Sequence, residues 1–573
     1  MVRSATLASP DKGVSVSDKT NSILNLAAAY ARDIANAERS AVAGEPEAQL
    51  TVPVSNLFSG LVDLAGDGRL DLVRETRLDR TRPDFAALHS VGGRTHQKGY
   101  VELKAPGVTV DASKWKGRNA RQWERMKDEA EVLIVCNGSE AQLYHHGIAK
   151  GAPVNLPIDQ PDKWNSKPLV AMLGRFLELR PAPVTKVTDL SQRLALRTAD
   201  LRDRILWLLD QESEAAAAAK GGLGAWRRHV YPEASARDFA DGVSQVVAYG
   251  MVMAVLTAGD ADRDGDGYVS VEEARAAIRP ISPVLAAAFA PLVDKPVLFD
   301  AVEVELGALE TLVSAIDAVK VNAHADRRGD RWLSFYEDFL AIYDPDERRQ
   351  AGVYFTPIPV VKAMTAMTGK LLTDRLGKRL GFGDPNVVTL DPATGTGTFL
   401  LAVIDHATKR AIKGRGEAGD VQAAVNLGRN LFGFELLPGP YSVAHLRLGQ
   451  SLSKLSKGAV SSAHVLLTDT LELQPEIADA PELWGDAETL AAEQARARKV
   501  KLDSRVTVVI GNPPYRRVER DLRGRGSGGW IIDGEVPDRL VKEQSLFDDI
   551  LDVAKANTIF SHHASLYNLY VYF

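Results

Sequence analysis

Apolar and polar positions change their spacing twice along this chain. Up to about residue 180, a helical stretch at 18–44 is followed by short apolar runs separated by turns, and the run 132–136 reaches the run 141–144 through Asn137-Gly138. Asn-Gly between two such runs is a strong hairpin signal. From about 187 to 345, apolar residues recur at helical spacing. The pattern predicts a mixed α/β region followed by an all-helical one.

The last third of the chain alternates between strand-like and helical segments. Its apolar runs are 387–390, 431–434, 465–467 and 506–510. Short apolar runs separated by helical intervals are typical of strands that lie parallel to one another. This region is therefore predicted to form a parallel sheet covered by helices.

Two helices of the middle region are predicted in more detail. The alanine-rich stretch 214–220 is predicted to end at Gly221-Gly222, because glycine is a poor helix former. The apolar stretch 243–258 contains Gln245 and Gly250 and falls short of a membrane span. It is predicted to be a buried helix, and no membrane partner is expected.

Length and composition describe a multidomain globular protein. With 573 residues the chain is too long for one core, so about three or four domains are expected. Apolar residues make up 45% and charged residues 25%, as in ordinary globular proteins. The single cysteine, Cys136, excludes an internal disulfide, and residues 2–20 lack the apolar core of a signal peptide. The expected location is the cytoplasm.

Charge is distributed unevenly along the sequence. A net charge of −6 argues against a wholly basic nucleic-acid coat, but two segments are strongly basic. They contain Lys114, Lys116, Arg118, Arg121, Arg125 and Lys127 in one case, and Arg516, Arg517, Arg520, Arg523 and Arg525 in the other. Such basic runs are often only solvent-exposed faces. The second run, however, directly follows a motif that could bind a nucleic-acid base, so it could contact DNA phosphates.

That motif is Asn512-Pro513-Pro514-Tyr515, directly after the apolar run 506–510 and Gly511. The side-chain carbonyl of Asn512 and the backbone carbonyl of Pro513 can accept both hydrogens of an NH2 group, which turns its lone pair towards an electrophile. The prolines restrict φ and remove two donors, and Tyr515 offers an aromatic face to a planar base. The motif resembles the catalytic loop of amino-methyltransferases, which implies amine methylation, and its alternative interpretation is an ordinary proline turn.

Polar residues at the other predicted strand ends suit a nucleoside cofactor. The segment 391–397 is a glycine turn between a strand and a helix, where Gly395 and Gly397 allow close backbone approach. Glu435 and Asp469 follow the next two strands, and an acid in such a position can accept ribose or amine hydrogens. Strand ends of a parallel sheet share one edge, so all these residues are expected around one crevice with Asn512.

These segments, together with residues 351–361, resemble an S-adenosylmethionine-dependent adenine DNA methyltransferase of the gamma arrangement over about 330–573. The resemblance implies that the methionine part of the cofactor is contacted by Tyr354, Phe355, Thr356, Pro357, Asp391, Ala393 and Gly395. It implies that Glu435 and Asp469 hold the nucleoside. Protein glutamine methyltransferases share the Asn-Pro-Pro-Tyr loop, but they are much shorter and lack the Tyr-Phe-Thr-Pro segment.

A second chemistry is indicated near the amino terminus. On a strand, Glu102 and Lys104 lie on the same face, and Asp84 precedes them on the previous strand. Two carboxylates can hold Mg²⁺ while the lysine orients or polarises a water. The pattern resembles the core of PD-(D/E)xK nucleases, with Glu75 as an additional acid and Gln122 on the following helix. A structural strand with a surface Glu and Lys is the alternative interpretation.

A calcium-binding loop is also a hypothesis. Residues 262–273 fit the twelve-residue EF-hand pattern, in which Asp262, Asp264 and Asp266 supply oxygens and Glu273 closes the shell. Against calcium binding, the pattern occurs once, and an acidic solvated loop between helices has the same composition.

The overall resemblance is to single-chain restriction-modification enzymes, which join nuclease, helical spacer and methyltransferase in this order. It implies a multidomain protein with an α/β nuclease domain at 1–185, an all-α spacer at 186–345 and an α/β Rossmann-like methyltransferase domain at 346–573. The methyltransferase domain is expected to be incomplete, as if carboxyl-terminally truncated, and no target-recognition domain is visible. No Gly-x-x-x-x-Gly-Lys-Ser/Thr loop of a helicase motor is present in the sequence.

The predicted function is adenine N6 methylation of double-stranded DNA coupled to Mg²⁺-dependent DNA cleavage, in restriction-modification or phage defence. Partner proteins of a defence system are a further expectation. One alternative is a DNA methyltransferase whose amino-terminal domain only binds DNA. Another is a non-catalytic fragment that binds cofactor or partner proteins.

Overall fold

The computed structural model of the chain describes residues 16–39, 46–74, 83–91, 94–229, 234–258, 269–280, 282–323, 331–344, 356–415, 417–460, 464–471, 473 and 487–513. The chain divides into two compact units, Met1–Pro183 (the first unit) and Val184–Phe573 (the second unit). A multidomain α/β protein with a helical region is thereby confirmed. The further division of the second unit at residue 345 stays a prediction.

The first unit consists of a mixed sheet with helices. In the described residues the strand order is β1-β2-β3-β4-β5-β6, and β7 also pairs with β5. Only β3 and β4 are parallel among these pairs. The strands are β1 Arg69–Arg74, β2 Phe85–Val91, β3 Arg94–Leu103, β4 Val132–Cys136, β5 Glu140–His145, β6 Ile148–Ala149 and β7 Val154–Asn155, and the helices are α1 Val16–Arg39, α2 Thr51–Ala65, α3 Gly117–Glu129 and α4 Lys167–Glu178.

The core of the first unit forms where helices bury apolar side chains against the sheet. Phe58 of α2 and Phe176 of α4 are fully buried together with Ile134 and Leu143 of the central strands. Each such side chain contributes about 1.5–3 kcal/mol when it is removed from water. This core keeps β3 and β4 side by side, and the residues at the end of β3 depend on that placement.

The predicted hairpin at Asn137-Gly138 is confirmed. Strands β4 and β5 pair in antiparallel register around this turn, and Gly138 has a left-handed backbone with φ of 87°. The Tyr30 hydroxyl of α1 donates a hydrogen bond to the Gly138 carbonyl at 2.7 Å. The turn therefore has both a local cause, the glycine, and a tertiary one.

The second unit begins with helices, as the apolar spacing predicts. They are α5 Val187–Leu209, α6 Glu214–His229, α7 Ala236–Ala258, α8 Val271–Ile278, α9 Pro283–Asp294, α10 Pro296–Ala301, α11 Glu303–Ser314, α12 Ala318–Ala323 and α13 Arg331–Tyr343. Helix α7 contains a stretch, Ala236–Leu256, that is apolar and long enough to cross a membrane by length and composition alone, but 94% of its apolar 18-residue window is buried inside the protein. It is longer than predicted, and the prediction of a buried helix is confirmed.

The predicted end of a helix at Gly221-Gly222 was wrong. Helix α6 continues through both glycines to His229. Ala219 lies before the glycines and Trp226 after them, and both are buried in the helical core. Packing on both sides outweighs the low helix propensity of glycine, which costs only about 1 kcal/mol per residue.

The described residues of the second unit also form a four-stranded parallel sheet. Its strands are β8 Thr389–Asp391, β9 Leu431–Glu435, β10 His464–Leu467 and β11 Val508–Val509. The strand order is β10-β9-β8-β11, and every pair is parallel, as predicted. The neighbouring helices are α14 Ile358–Asp374, α15 Thr398–Arg415, α16 Glu417–Asn430, α17 Pro438–Ser456 and α18 Ala487–Asp503.

The strand order determines where a ligand can lie. The chain moves outward from β8 to β9 and β10, and then returns to the other side of β8 to form β11. In open parallel sheets, ligands bind beyond the carboxyl ends of the strands at such a reversal. The crevice is therefore expected next to the ends of β8 and β11.

The hairpin turn leads to a stability prediction. Replacing Gly138 with alanine should lower the local stability of the β4–β5 hairpin by about 1–2 kcal/mol, because an L-residue is strained in the left-handed region. A Cβ at this position would also lie 2.9 Å from Leu50 Cδ2. Hydrogen exchange of peptides that cover 132–145 measures the change. Gly221→Ala, inside α6, is the control, because no atom of the described residues lies within 4 Å of the new methyl group. This variant should stabilise its helix. Unchanged hydrogen exchange in Gly138→Ala would contradict the prediction.

Candidate functional sites

Glu102, Lys104 and Gln122 form one hydrogen-bonded cluster in the first unit. Lys104 Nζ donates to Glu102 Oε1 at 2.5 Å and to Gln122 Oε1 at 3.1 Å, and Gln122 Nε2 donates to Glu102 Oε1 at 2.7 Å. Glu102 lies near the end of β3, and the Lys104 N–H extends the strand pairing by donating to the Cys136 carbonyl at 2.8 Å. The alternation of a strand therefore places both charged groups on the face towards α3.

The cluster is buried, which changes its electrostatics. Glu102 and Lys104 are each only 2% exposed. Burial raises the pKa of Glu102 to about 7; the positive charge of Lys104 opposes this shift, and the nearby Asp84 and Glu47 add to it. Glu102 Oε2 is buried without a hydrogen-bond partner among the described residues. An unpaired carboxylate oxygen in a buried position is costly, which is typical of functional rather than structural groups.

Asp84 lies beside this cluster, as the sequence predicts. Its Oδ2 accepts a hydrogen bond from the Leu103 N–H at 2.6 Å, so it is attached to the end of β3. Its negative charge contributes to the raised pKa of Glu102. The structure thus brings together Asp84, Glu102, Lys104 and Gln122, whereas Glu75 lies outside the described residues.

Glu47 belongs to the same surroundings and was not predicted. It lies in a short 3-10 helix, Pro46–Leu50, and its Oε1 accepts from the Ala105 N–H at 3.3 Å. Its charge also raises the pKa of Glu102. No spacing rule connects a residue before α2 with the end of β3, so only the tertiary structure reveals this third acid.

The carboxylates suit magnesium in number and chemistry. Within the part of the chain that the structure describes, no group of three or more His, Cys, Asp or Glu side chains is arranged to hold a metal ion. Mg²⁺, however, is commonly held by one or two carboxylates and keeps several waters. Asp84 and the unpaired Oε2 of Glu102 fit that requirement.

In the second unit, the predicted polar residues lie at the carboxyl ends of the parallel strands. Asp391 is the last residue of β8, and Glu435 is the last residue of β9. Asp469 follows β10 by two residues, and Asn512 follows β11 by three. The parallel pairing brings these strand ends to one edge of the sheet.

The glycine turn, residues 391–397, is attached to the end of β9. Glu435 Oε2 accepts from the Gly395 N–H at 2.7 Å, and its Oε1 accepts from the Leu437 N–H at 2.8 Å. The Thr394 N–H donates to the Phe434 carbonyl at 2.9 Å. Burial raises the pKa of Glu435, and these backbone donors oppose the rise. The carboxylate thus sets the distance between two strand ends.

Open space lies in front of the turn. Gly395 and Gly397 have left-handed φ values of 55° and 85°. A Cβ added at Gly395 would have no atom of the described residues within 4 Å, whereas one at Gly397 would lie 3.4 Å from Leu448 Cδ1. Gly395 therefore borders room for a ligand, and Gly397 faces packed protein.

Arg447 stabilises this turn from behind and was not predicted. It is buried on α17, and its Nη1 donates to the carbonyl of Thr396 and, at 2.9 Å, to Thr396 Oγ1. A buried guanidinium bound to backbone holds a turn more firmly than a neutral donor does. Its position in the middle of a helix gave no sequence signal.

Asp391 has one carboxylate oxygen without a hydrogen-bond partner in the described chain and a raised pKa. Its Oδ1 accepts from the Ala393 N–H at 3.1 Å, while its Oδ2 is buried and finds no hydrogen-bond partner in the described chain. Burial raises its pKa to about 7, and the charge of Glu435 adds to the rise. A Cβ at Gly511 would overlap Asp391 Oδ1, so only glycine lets the segment before Asn512 pass this close.

These features suit a cofactor that carries an ammonium group and a nucleoside. An unpaired buried carboxylate oxygen at Asp391 is a good partner for a cation, and Gly395 borders open space. Thr356 and Pro357 directly precede α14. Tyr354, Phe355, Pro514 and Tyr515 lie outside the described residues, so their roles, like those of the other predicted site residues, stay predictions.

The calcium hypothesis is also left as a prediction. Asp262, Asp264 and Asp266 lie outside the described residues. Glu273 has a structural role, because its Oε2 accepts from the Ser270 N–H at 2.7 Å and from Ser270 Oγ at 2.8 Å. Together with the Glu273 N–H to Ser270 Oγ bond, this is a capping box at the start of α8.

The comparison with protein families assigns part of the second unit. Residues 328–523 match the family model of N-6 DNA methylase. This segment contains all four strands of the parallel sheet and the four polar strand ends. The chain therefore contains an N-6 DNA methylase domain.

Three solved structures that are similar to the chain come from longer proteins. The chain is similar to the protein of a DrdV–DNA complex, with 20% identity, a TM-score of 0.41, and coverage of 96% of this chain and 48% of the other. A second is an ATP-dependent Type ISP restriction-modification enzyme, LlaBIII, bound to DNA, with 14% identity, a TM-score of 0.45, and coverage of 81% of this chain and 29% of the other. A third is a nuclease-deletion mutant of the Type ISP restriction-modification enzyme LlaGI in complex with a DNA substrate mimic, with 16% identity, a TM-score of 0.43, and coverage of 71% and 30%. The chain thus spans less than half of each. No functionally curated protein matches it.

Asp391 gives a pH-dependent prediction. Because its pKa in the folded protein, about 7, is above the ordinary value of 3.8, the stability from this group is present below about pH 4 and lost as the pH rises through 7. Asp391→Asn, which is never ionised, should therefore unfold at a higher temperature than the wild type, and the difference between them should be larger at pH 8 than at pH 5.

Thermal unfolding without ligand at both pH values tests this sign. Asp210→Asn, at an exposed position after α5, should show the same difference from wild type at both pH values. A gap between Asp391→Asn and wild type that shrinks towards pH 8 would contradict the prediction.

Proposed function

We propose that the second unit transfers a methyl group from S-adenosylmethionine to the N6 amine of adenine in double-stranded DNA. The observation that carries the proposal is the arrangement of Asp391, Gly395, Glu435 and Asn512 at one edge of a parallel sheet. That edge lies within the segment that matches the N-6 DNA methylase model. When bound, the cofactor supplies an electrophilic sulfonium methyl group.

Asp391 and Glu435 bind and orient the cofactor in this proposal. The buried Oδ2 of Asp391, which is unpaired in the described structure, would accept a hydrogen bond from the cofactor ammonium. Glu435 would accept hydrogen bonds from the ribose hydroxyls, and it keeps the glycine turn in place through the Gly395 N–H. Asp469 would accept a hydrogen bond from the adenine amine of the cofactor. Three acids at three strand ends would thus hold the ammonium, the ribose and the base.

Asn512 and Pro513 orient the target amine. DNA flips an adenine out of its helix into the crevice, where the Asn512 side-chain carbonyl and the Pro513 carbonyl accept the two amine hydrogens. The lone pair would then point towards the methyl group that the cofactor supplies, and positioning alone would supply much of the rate gain. Pro514 restricts the loop and Tyr515 stacks on the base. No covalent intermediate with the protein is needed.

We also propose that the first unit is a magnesium-dependent DNA endonuclease. The specific observation is the buried cluster of Glu102, Lys104 and Gln122 beside Asp84. Asp84 and Glu102 would hold Mg²⁺, which supplies Lewis-acid assistance to phosphodiester hydrolysis when bound. Lys104 positions the attacking water, and Gln122 orients Lys104 and Glu102 through its amide.

The surface near this cluster suits DNA. On α3, Arg118, Arg121 and Arg125 are exposed and recur on one side of the helix that carries Gln122. Arginines on one helix face can neutralise phosphates of a duplex. A protein that both methylates adenine and cuts DNA fits restriction-modification or phage defence in the cytoplasm. The alternatives are a first unit that only binds DNA, and a chain that binds cofactor or partners without chemistry.

Asn512→Ala tests the methyltransferase. In the full chain, transfer of labelled methyl groups to mixed-sequence DNA should fall by about 10²-fold or more, because the amine loses an orienting acceptor. Binding of S-adenosylhomocysteine should remain within about twofold, since no cofactor contact is assigned to this side chain. Asn386→Ala, at an exposed position before β8, is the control and should methylate normally. Normal methylation by Asn512→Ala would refute the assignment.

Lys104→Ala tests the nuclease. Mg²⁺-dependent cleavage of unmethylated DNA should fall by about 10²-fold or more, because the attacking water loses its positive neighbour. Lys98→Ala, on the same strand β3, is the matched control and should cut normally. DNA retention without any cleavage by the wild-type protein would favour the alternative that the first unit only binds DNA.

A further inference from the structure

The carboxyl end of strand β10 is bound by polar side chains of helix α18. In the described sheet β10 is an edge strand, with β9 on one side only. The Thr468 N–H pairs with the Glu435 carbonyl of β9 at 2.9 Å. Because backbone groups of successive residues point to opposite sides of a strand, the N–H and carbonyl of Leu467 face away from β9.

Both outward groups of Leu467 are paired by neighbouring residues of α18. The Leu467 N–H donates to Glu493 Oε1 at 3.0 Å, and Gln494 Nε2 donates to the Leu467 carbonyl at 2.6 Å. One acceptor and one donor thus replace the two hydrogen bonds that a further strand would supply. Glu493 and Gln494 are each 3% exposed, so they bind the strand in place of water.

Lys501 extends these contacts to the backbone of Asp469. Its Nζ donates to the Asp469 carbonyl at 2.5 Å and to Thr468 Oγ1 at 3.1 Å. Asp469 Oδ1 accepts from the Leu471 N–H at 2.9 Å, and Thr470 Oγ1 donates to the Pro392 carbonyl at 2.5 Å, inside the glycine turn. The backbone around Asp469 is therefore restrained both by α18 and by the turn beside it.

Covering the edge of the sheet does not by itself require the polar contacts of Glu493 and Gln494. Ala497 and Val500 of the same helix pack against Leu466 and Phe434, which would already cover the edge with apolar surface. Burying Glu493 and Gln494 is costly unless they are paired. Tyr441 also donates to Glu493 Oε1 at 2.8 Å, which fixes the carboxylate from α17. The polar set thus holds the backbone just before Asp469 in one geometry.

We infer that Glu493, Gln494 and Lys501 are positioning residues that hold the Asp469 carboxylate where it selects the amine of the cofactor's purine. The inference rests on the proposed function, in which Asp469 accepts that amine. Helix α18 also leads into β11 and Asn512. One helix therefore connects recognition of the cofactor base with the loop that orients the target base.

The test compares two ligands that differ only at the purine, S-adenosylhomocysteine and S-inosylhomocysteine, whose purine carries a carbonyl instead of the amine. Calorimetry on the full wild-type chain should show a preference of about tenfold or more for the amine, as one buried hydrogen bond implies. Lys501→Met should reduce this preference to within about threefold, and Lys501→Arg should largely restore it. Gln494→Met should act like Lys501→Met.

A purely structural role would change binding of both ligands by the same factor and leave their ratio unchanged. Lys499→Met, at an exposed position of the same helix, is the matched control and should keep the wild-type ratio. Unchanged ratios in both Lys501→Met and Gln494→Met, with wild type still discriminating, would overturn this inference alone. Wild type that binds neither ligand would overturn the proposed cofactor site itself.

Discussion

The hydrogen bonds of Glu435 hold together the part of the protein on which its proposed chemistry depends. One carboxylate accepts from the Gly395 N–H after β8 and from the Leu437 N–H after β9. Because the two strands are parallel neighbours, this bridge keeps the glycine turn at the edge where the other strand ends lie. Arg447 binds the same turn through Thr396. The crevice is therefore shaped by charged groups bound to backbone.

Each unit contains a buried acid whose carboxylate is not fully hydrogen-bonded by the described residues. Glu102 and Asp391 each have a pKa of about 7, caused first by burial, and each retains one buried oxygen without a partner among the described residues. A structural carboxylate would be fully hydrogen-bonded or exposed. Acids held in this way are prepared to receive a cation, which is Mg²⁺ in the proposed nuclease and an ammonium group in the proposed methyltransferase.

Much of the fold followed from local pattern. The four strands of the parallel sheet and the hairpin at Asn137-Gly138 were predictable because period, glycine position and strand-end polarity are local properties. The pairing of Glu102 with Lys104 followed from strand alternation. The continuation of α6 through Gly221-Gly222 did not, because buried contacts of Ala219 and Trp226, distant in sequence from their partners, outweigh local propensity.

By itself the sequence determined which residue types stand at each strand end, and therefore which chemistry Asp391, Glu435 and Asn512 can perform. Only the tertiary structure decided which residues support them. Glu47, Arg447 and the polar face of α18 lie far along the chain from the groups that they contact. Periodicity reports the face that a residue occupies, whereas the partner across that face is set by packing of separate elements. The candidate functional residues could be predicted from the sequence, whereas the residues that hold them in place could not.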